Sequence, residues 1–368
     1  MEVAILGTSI NIRSGNGTYQ AIFLTSVLQE LEKIASKHRF FVLIDRNVSE
    51  LYLDFFMRIK QISIIVIPIE PHEDSKQMVR IPGYINQLLD TEIRRGDLLV
   101  GIGGGIIQDI TGFIATILFR GLDWIFVPTT LAAQADSCIG SKTSINLGNR
   151  KNTLGTYHHA ARILLSSEFL VTLSNREIRA GLGEMLKVHA IEDKHKYDEI
   201  AKNYSDLVDL KGDLAHFIYQ SLIYKKKKIE MDEKDQGPRL VMNYGHSFGH
   251  ALEAGSEFEI PHGIAVSMGM DIANYVSMKL EFGTEADFNR MHPILIKNSN
   301  EFWNKTIDKS KFLKALLADK KNKLDSYVFI LTDKFGVPTV KEVAMSIDIN
   351  KLVFDYIEYI RSNEINKK

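Results

Sequence analysis

Apolar runs alternate with helical patterns along the first half of the chain. Residues 3–7 and 39–45 are short apolar runs with β-branched or aromatic residues, which is typical of buried strands. Between them, apolar positions over 22–31 recur at helical spacing. Further elements follow in the order helix 50–59, strand 62–68, helix 81–92 and strand 97–102. Strands that alternate with helices predict a parallel sheet with right-handed crossovers.

The pattern changes near residue 174. Residues 123–127 and 161–166 are predicted to be the last strands of an α/β domain, and the chain has a helical pattern from Ser174 onward. Within that second half, residues 327–331 resemble a strand. The sequence therefore predicts two domains, with boundaries at 1–173 and 174–368.

Composition and charge are those of an ordinary globular protein. The 368 residues suffice for two cores, and 45% hydrophobic and 25% charged residues are average values. The net charge of −1 provides no field toward nucleic acid or a membrane surface, so neither is an expected partner. The single cysteine, Cys138, excludes an internal disulfide framework. Glu2 stands where a signal peptide carries positive charge, and no apolar run approaches the roughly 20 residues of a membrane span, so a cytoplasmic location is expected.

A run of three glycines follows the strand at 97–102. Gly103, Gly104 and Gly105 would let the backbone approach a pyrophosphate, and the helix that begins there would offer free N–H groups to it. Ligands of open parallel sheets bind at the carboxyl ends of the strands, where this run lies. Because the run differs from the GxGxxG fingerprint, a tight turn without a ligand stays an alternative.

Two further segments carry polar side chains with more than one interpretation. Residues 131–152 mix lysines with glycines and hydroxyl side chains, which suits either a solvated loop or a phosphate or carboxylate pocket. In the helical half, Glu184 and Lys187 lie three apart on one helix face and form either an intrahelical ion pair or part of a site. The four-lysine run 225–228 is typical of a solvated helix face.

Three histidines lie close together in the helical half. His246 and His250 are four residues apart and share one helix face, and His262 follows directly before a glycine. Neutral imidazoles gathered in this way are good ligands for zinc, although histidines at helical spacing also occur on surfaces and in cores. Arg239 and Asn243 continue the same stripe, where an apolar face would not need them. The glutamate that zinc proteases carry after the first histidine is missing, which disfavours that class.

Five separated motifs make the sequence similar to the 3-dehydroquinate synthases and their relatives, the sugar-phosphate cyclases. The resemblance runs from about residue 45 to residue 331. In chain order, the motifs are Gly103-Gly104-Gly105-x-x-x-Asp109, Val127-Pro128-Thr129-Thr130-Leu131, Asp136-Ser137 with Gly140-x-Lys142-Thr143, Ala180-Gly181-x-x-Glu184-x-x-Lys187, and Asn243-x-Gly245-His246-x-Phe248-Gly249-His250 followed by His262-Gly263.

The resemblance implies a fold, two cofactors and a set of site residues. The fold is an N-terminal dinucleotide-binding, Rossmann-like α/β domain followed by an all-α domain. The metal, zinc or cobalt, would be held by Glu184, His246 and His262, with His250 as a nearby acid–base or hydrogen-bonding group. NAD would be bound by Asp45, Asn47, Glu73, Lys76, Gly103, Gly104, Gly105, Asp109, Thr129, Thr130, Lys151 and Thr172.

The substrate implied by the resemblance is a small phosphorylated sugar acid. Its carboxylate, hydroxyls and phosphate would be held by Asp136, Lys142, Asn152, Lys187, Lys225, Arg239, Asn243 and His250, with Lys320 or Lys321 as a further lysine of the pocket. Among these, the resemblance assigns catalytic roles to Lys142, Lys187, Arg239, Asn243 and His250. Arg120 matches an arginine lent by a neighbouring subunit, so a homodimer is expected.

The implied reaction converts 3-deoxy-D-arabino-heptulosonate 7-phosphate to 3-dehydroquinate and phosphate. It combines transient oxidation by NAD, phosphate elimination, reduction and an intramolecular aldol closure, so NAD is recycled. Arg239, Asn243 and Lys225 are retained, which favours a carboxylated substrate over sedoheptulose 7-phosphate or glucose 6-phosphate. The motifs depart from the family pattern at Gln108, Ser141, Met242 and His158-His159, and none of these changes removes a side chain with an implied role.

Three alternatives are left open by the sequence. The first is a divergent sugar-phosphate cyclase that uses another heptulose or hexose phosphate. The second is a metal-dependent polyol dehydrogenase, which resembles these cyclases in fold. The third is a nucleotide-binding or scaffold protein that keeps the fold without activity.

Overall fold

The structure, a computed structural model, describes residues 5–15, 17–148 and 150–365. The chain divides into two compact units. The first comprises Met1–Leu173 with Ile218–Glu233, and the second comprises Ser174–Phe217 with Lys234–Lys368. The sequence assigns residues 218–233 to the second domain, and their contacts group them with the first unit. The other boundary coincides with the change of pattern at Ser174.

A seven-stranded sheet forms the centre of the first unit in the described part of the chain. Its strands are β1 (Ser9–Ser14), β2 (Gly17–Phe23), β3 (Phe40–Asp45), β4 (Val66–Ile69), β5 (Leu98–Gly103), β6 (Trp124–Pro128) and β9 (Arg162–Leu165). From edge to edge, the order is β1-β2-β9-β6-β5-β3-β4, and every neighbouring pair except β1–β2 is parallel. All six residues of β3 are buried, as expected of a parallel strand covered on both faces.

Helices cover the faces of this sheet. They are α1 (Val27–Ala35), α2 (Arg46–Leu51), α3 (Leu53–Ile62), α4 (Ile81–Asp90) and α5 (Gly105–Ile117). Helix α1 shows how the sequence sets such an element: Ser26 accepts a hydrogen bond from the Gln29 N–H, and Val27, Leu31 and Ile34 form one buried stripe. That stripe packs in a core that includes alternate residues of β3, such as Val42.

The N-terminal prediction is wrong in its details. Residues 5–7 form a turn and no strand, and residues 3 and 4 of the predicted strand lie outside the described residues. Ile22 and Phe23 end strand β2 and do not begin a helix. The helical spacing misled because Tyr19, Ala21 and Phe23 are buried at the two-residue period of a strand, which pairs with β1 as a hairpin.

The segment predicted as a polar loop also contains regular structure. Strands β7 (Lys142–Leu147) and β8 (Arg150–Tyr157) form a separate antiparallel hairpin. Thr143 and Ile145 are buried at a two-residue period. A hydroxyl side chain at one of the inward positions hides this alternation from a hydrophobic count.

The second unit is helical, with one antiparallel hairpin added. Its helices are α6 (Asn175–Glu192), α7 (Lys194–Val208), the first turn of α8 (Leu214–Met231), α9 (His246–Gly255), α10 (His262–Lys279), α11 (Glu285–Ser299), α12 (Lys309–Leu317) and α13 (Ile349–Ile360). The hairpin pairs β10 (Ser326–Thr332) with β11 (Pro338–Ala344), and the strand-like run at 327–331 lies in β10. Helix α10 is buried along most of its length and forms the centre of this unit.

Glycines bring three helices of the second unit into backbone contact. A Cβ atom on Gly183 would lie 2.0 Å from the carbonyl oxygen of Gly263, so α6 and α10 touch without intervening side chains. A Cβ atom on Gly269 would lie 2.0 Å from the carbonyl oxygen of Gly245, at the start of α9. Glu184 follows Gly183, His246 follows Gly245, and His262 precedes Gly263. Close helix packing therefore brings the candidate metal ligands together.

Across the described ranges, no helix combines the length and the apolar character that crossing a bilayer requires.

Candidate active-site residues

Three imidazole rings converge in the second unit. His246 and His250 lie four residues apart on α9, and His262 begins α10. Their ring centroids are 5.2 to 5.5 Å apart, and one ligand atom from each lies within 4.8 Å of the others. Among the described residues, this is the group of histidine, cysteine and acidic side chains that is arranged to hold a metal ion.

A buried carboxylate completes the cluster. Glu184 Oε1 lies 3.2 Å from His262 Nε2, and Glu184 Oε2 accepts a hydrogen bond from Lys187 Nζ at 2.6 Å. Glu184 is 3% exposed and Lys187 is 2% exposed. The sequence left an intrahelical ion pair and a site residue as alternatives for this pair. The intrahelical ion pair is present, and the other carboxylate oxygen lies beside His262.

The charges of this cluster are set by its contacts. Burial alone would raise the pKa of Glu184, but Lys187 and His262 hold this pKa well below its ordinary value. The side chain of His262 is 47% exposed, so the loss of solvent that lowers its pKa is only partial, and the carboxylates of Glu253 and Glu184 raise this pKa to about 10. Burial, Lys187 and the other two histidines hold the pKa of His246 well below its ordinary value.

The donor set fits a divalent cation. Imidazole nitrogens and a carboxylate oxygen suit zinc or cobalt. His262 is flanked by two carboxylates, so in the metal-free chain a proton on this ring balances their charge. A metal ion at its Nε2 would take the place of that proton, as metal binding generally does. The sequence predicted Glu184, His246 and His262 as ligands with His250 as a neighbour. In the structure, the ligand atoms of the three histidines lie within 4.8 Å of one another, and Glu184 lies beside His262.

Two carboxylates that the sequence did not predict support the cluster. Glu253 lies 3.3 Å from His262 Nδ1, the nitrogen that faces away from Glu184. Asp319 accepts hydrogen bonds from Lys321 Nζ and from the Ser247 hydroxyl, which follows His246. Glu253 lies three residues after His250 on α9, so helical spacing could have identified it. Asp319 is far away in sequence and left no such signal.

The remaining predicted residues of the second unit take different positions. Lys321 Nζ donates a hydrogen bond to Asp319, and its positive charge contributes to lowering the pKa of His250. Lys320, in contrast, is exposed. Arg239 is 5% exposed and Asn243 donates a hydrogen bond to the Leu240 carbonyl, both in the 3-10 turn Pro238–Asn243. Of the two candidate lysines, Lys321 is therefore the one near the histidines.

In the first unit, the glycine run lies beside two threonines at the carboxyl ends of adjacent strands. Gly103 ends β5 and accepts a hydrogen bond from the Thr129 N–H at 3.0 Å. A Cβ atom on Gly104 would lie 3.0 Å from the Thr130 side chain. Gly105 begins α5 and is exposed, so the start of this helix can be approached. The arrangement has the features of a phosphate-binding turn.

Gln108, which departs from the motif, has a local role. Its side-chain amide donates to the Ser137 carbonyl at 2.6 Å and accepts from the Ser137 hydroxyl at 2.7 Å. The larger side chain therefore ties the first turn of α5 to the segment that carries Asp136.

A network of charged and amide groups surrounds Lys76. Its Nζ lies 2.7 Å from Asp109 Oδ2 and donates to Asn152 Oδ1 at 2.8 Å. Glu73 lies 3.8 Å away and accepts from Asn146 Nδ2. Burial raises the pKa of Asp109 to about 6, although the nearby Lys76 lowers it. Predicted cofactor residues thus share one network with Asn152, which was predicted to bind substrate.

Lys225 is buried, so the lysine run is not uniformly a solvated face. Its Nζ lies 2.7 Å from Asp136 Oδ1 and also donates to the Asp136 carbonyl. Lys227, in contrast, is exposed. Lys142 is exposed at the start of β7, directly after Gly140 and Ser141, which both have positive φ.

Other predicted residues of the first unit have contacts of their own. Asp45 accepts from the Asn47 N–H at the start of α2. Thr172 is hydrogen-bonded to the Tyr52 hydroxyl at 2.9 Å, and Lys151 is exposed on β8. Arg120 is exposed with φ of 67°, in a turn where Phe119 and Gly121 also have positive φ.

Comparison with known proteins agrees with the motifs. The family profile "3-dehydroquinate synthase N-terminal" matches residues 66–180, and the profile "3-dehydroquinate synthase C-terminal" matches residues 181–322. The 3-dehydroquinate synthase of Helicobacter pylori strain P12 is 35% identical over 311 residues, which cover 84% of this chain and 89% of that protein. That of Campylobacter curvus is 33% identical over 331 residues, which cover 89% of this chain and 95% of that protein.

Solved structures share the fold. A 2-deoxy-scyllo-inosose synthase complexed with carbaglucose-6-phosphate, NAD+ and Co2+ has a TM-score of 0.85 at 22% identity, covering 95% of this chain and 100% of that one. ValA, a 2-epi-5-epi-valiolone synthase of Streptomyces hygroscopicus with NAD+ and Zn2+ bound, has a TM-score of 0.83 at 22% identity, covering 96% and 99%. A probable glycerol dehydrogenase of Sinorhizobium meliloti has a TM-score of 0.64 at 13% identity, covering 93% and 97%.

Proposed function

The chain belongs to the 3-dehydroquinate synthase family and has the carbon–oxygen lyase activity of that family, and from this premise we propose which of its residues and cofactors carry the reaction. The observation that carries the proposal is the convergence of His246, His250 and His262 in the second unit, with Glu184 beside His262. The proposed substrate is 3-deoxy-D-arabino-heptulosonate 7-phosphate. The proposed cofactors are NAD and a divalent metal, zinc or cobalt, both of which occur in structures that share this fold.

Glu184, His246 and His262 are the proposed metal ligands. When bound, the metal would polarise a substrate hydroxyl and lower its pKa, and NAD would accept a hydride and return it. Lys187 keeps Glu184 ionised by a hydrogen bond at 2.6 Å. Glu253 orients His262 from the opposite ring nitrogen, as carboxylates commonly do for metal-binding histidines.

Binding of the substrate is proposed for the basic and polar residues that the motifs identify. In the first unit these are Asp136, Lys142, Asn152 and Lys225. In the second unit they are Lys187, Arg239, Asn243, His250 and Lys321. Buried lysine and arginine side chains such as Lys225 and Arg239 suit a phosphate or carboxylate, because charge-assisted hydrogen bonds are strong where water is excluded.

NAD binding is proposed for the first unit. The start of α5 at Gly104 and Gly105 would accept the pyrophosphate, and the Lys76–Asp109 network would lie toward the rest of the dinucleotide. A homodimer with Arg120 contributed by the neighbouring subunit is part of the same proposal. The resemblance supports it, together with the exposed position of Arg120 on its turn.

An assay of substrates and products tests this function. We expect phosphate release from the heptulosonate phosphate in the presence of NAD and zinc or cobalt, without net accumulation of NADH. Release from sedoheptulose 7-phosphate or glucose 6-phosphate in its place would identify a divergent cyclase. Net NADH formation from a polyol would identify a dehydrogenase of the same fold.

Two substitutions separate the metal from the substrate site. His262→Ala should lose bound metal and lower kcat/KM at least about a thousand-fold, since metal catalysis supplies several kcal/mol of transition-state stabilisation. Lys142→Ala should keep its metal and raise KM. Metal content by atomic absorption and steady-state kinetics are the measurements. Equal loss of metal in the two variants would contradict these roles.

A further inference from the structure

The loop before Lys142 is held in an unusual conformation. Gly140 has φ of 119° and Ser141 has φ of 57°, so two successive residues lie in the left-handed region. Glycine tolerates this region, whereas a serine adopts it at a cost. Ser141 stands where the family pattern has a glycine, so an interaction of its side chain must offset that cost.

The Ser141 hydroxyl is bound by one carboxylate. It donates to Glu233 Oε1 at 2.5 Å, and Ser141 itself is buried. Glu233 follows helix α8 and belongs to the same unit as Ser141. Burial would raise the pKa of Glu233, but hydrogen bonds from Ser14, Ser141 and Gly15 hold it below its ordinary value. The acceptor is therefore a carboxylate anion at neutral pH, which makes these hydrogen bonds strong.

The same carboxylate binds the N-terminal hairpin. Ser14 Oγ donates to Glu233 Oε1 at 2.6 Å, and the Gly15 N–H donates to Oε2 at 2.7 Å. The hairpin also reaches the loop directly, because the Gly140 N–H donates to the hydroxyl of Tyr19 at 3.0 Å. Tyr19 is 1% exposed, so it can move little.

We propose that Glu233 is a positioning residue for Lys142, acting through the Ser141 hydroxyl and fixed in turn by the β1–β2 hairpin. The carboxylate sets the backbone direction of the residue that precedes Lys142, and this direction decides where the ammonium group lies. The inference rests on the proposed substrate-binding role of Lys142. It gives the hairpin, which lies before residue 66 where the family match begins, a part in the reaction.

Kinetics of Glu233→Gln and a matched control test this. The control is Glu230→Gln, because Glu230 also joins α8 to the hairpin, through the Arg13 N–H at 2.9 Å and the Arg13 guanidinium at 3.5 Å. A glutamine at 233 cannot accept from three donors without turning its amide group toward one of them. We expect KM for the sugar phosphate to rise about ten-fold in Glu233→Gln, since small misplacements of binding groups are costly. Metal content should not change, and Glu230→Gln should keep the KM of the parent chain.

A double-mutant cycle with Lys142→Ala separates the positioning role of Glu233 from the substrate-binding role of Lys142. If Glu233 acts through Lys142, then Glu233→Gln adds no further rise in KM once Lys142 is alanine. A rise that multiplies with that of Lys142→Ala, or one equal in the Glu230→Gln control, would overturn the inference and leave the role of Lys142 intact. A Lys142→Ala variant with the parent KM would instead overturn the proposed role of Lys142, and this inference with it.

Ser141→Ala provides the same test if Glu233→Gln fails to fold. It removes the hydroxyl and leaves the carboxylate and the hairpin contacts in place. The KM should rise in this variant as well, and an unchanged KM would overturn the inference.

Discussion

Each unit of the molecule contains a buried lysine that is paired with a carboxylate at almost the same distance. In the first unit, Lys76 Nζ lies 2.7 Å from Asp109, and in the second unit, Lys187 Nζ lies 2.6 Å from Glu184. The lysine side chains are 6% and 2% exposed. Yet the pKa of Asp109 is raised to about 6, whereas the pKa of Glu184 is held well below its ordinary value.

The number of neighbouring charges explains the difference. Glu184 has two cationic neighbours, Lys187 and His262, and together they outweigh the effect of its burial. Among the described residues, Lys76 is the cation that lowers the pKa of Asp109, and Glu73 adds a second negative charge near the same lysine. Ion-pair distance therefore says little about the charge state of a buried carboxylate. In this molecule, the proposed metal ligand stays anionic, and the carboxylate of the proposed cofactor site does not stay fully so near pH 6.

The largest expected effect is on the free energy of unfolding of the metal-free protein, when the carboxylate of each pair is replaced by an amide. Glu184→Gln would remove the buried carboxylate to which Lys187 Nζ donates, and breaking a buried ion pair of this kind should cost about 3 kcal/mol or more of the free energy of unfolding. Asp109→Asn should cost about 1 kcal/mol, because it also removes a group whose burial is unfavourable and leaves Lys76 its bond to Asn152. Urea denaturation of both variants measures this. Equal losses of unfolding free energy in the two variants would show that His262, the second cation beside Glu184, does not strengthen that pair.

A smaller effect is expected from pH on the Asp109 pair. The folded pKa of Asp109 lies above its ordinary value of 3.8, so the folded chain binds this proton more tightly than the unfolded chain does. The stability that Asp109 contributes is therefore present at low pH and is lost as the pH rises toward and through about 6. The difference in stability between the parent chain and Asp109→Asn should fall from pH 4.5 to pH 7. A difference that grows over this range would contradict the burial argument.

The smallest effect should come from an exposed ion pair whose nitrogen–oxygen distance is similar to those of the two buried pairs. Lys211 Nζ lies 2.8 Å from Asp209, but its side chain is 72% exposed. Water and salt screen such a pair, and its side chains lose entropy when they associate. Lys211→Ala should leave the Tm unchanged within error, as measured by thermal denaturation. A clear fall in Tm would show that distance matters more than burial, and the comparison between the two units would then lose its basis.

Several site features were predictable because they depend on local spacing. His246 and His250 are four residues apart, and helix α9 places both on one face. Glu184 and Lys187 form the expected pair on α6. The glycine run ends a strand as predicted, since its position after an apolar run specifies a strand end.

Other features depend on contacts between distant segments. Lys76 meets Asp109 and Asn152, which lie 33 and 76 residues further along the chain. Glu233 reaches Ser14 and Ser141 from the end of α8. Residues 218–233 group with the first unit, although their helical pattern matches the second. Periodicity describes which face of an element is apolar, but it does not say which other element will cover that face.

The sequence by itself determined the alternation of strands and helices, the change to helices near Ser174 and the family, and it supplied the residues of the proposed site, which are imidazoles, a carboxylate and basic side chains. Only the tertiary structure decided which of these groups meet and what charge they carry. The physical reason is that helix and strand periods act over a few residues, whereas burial and charge depend on contacts across the chain. The close packing of Gly183 on the backbone of Gly263 is one such contact, and it places His262 beside Glu184.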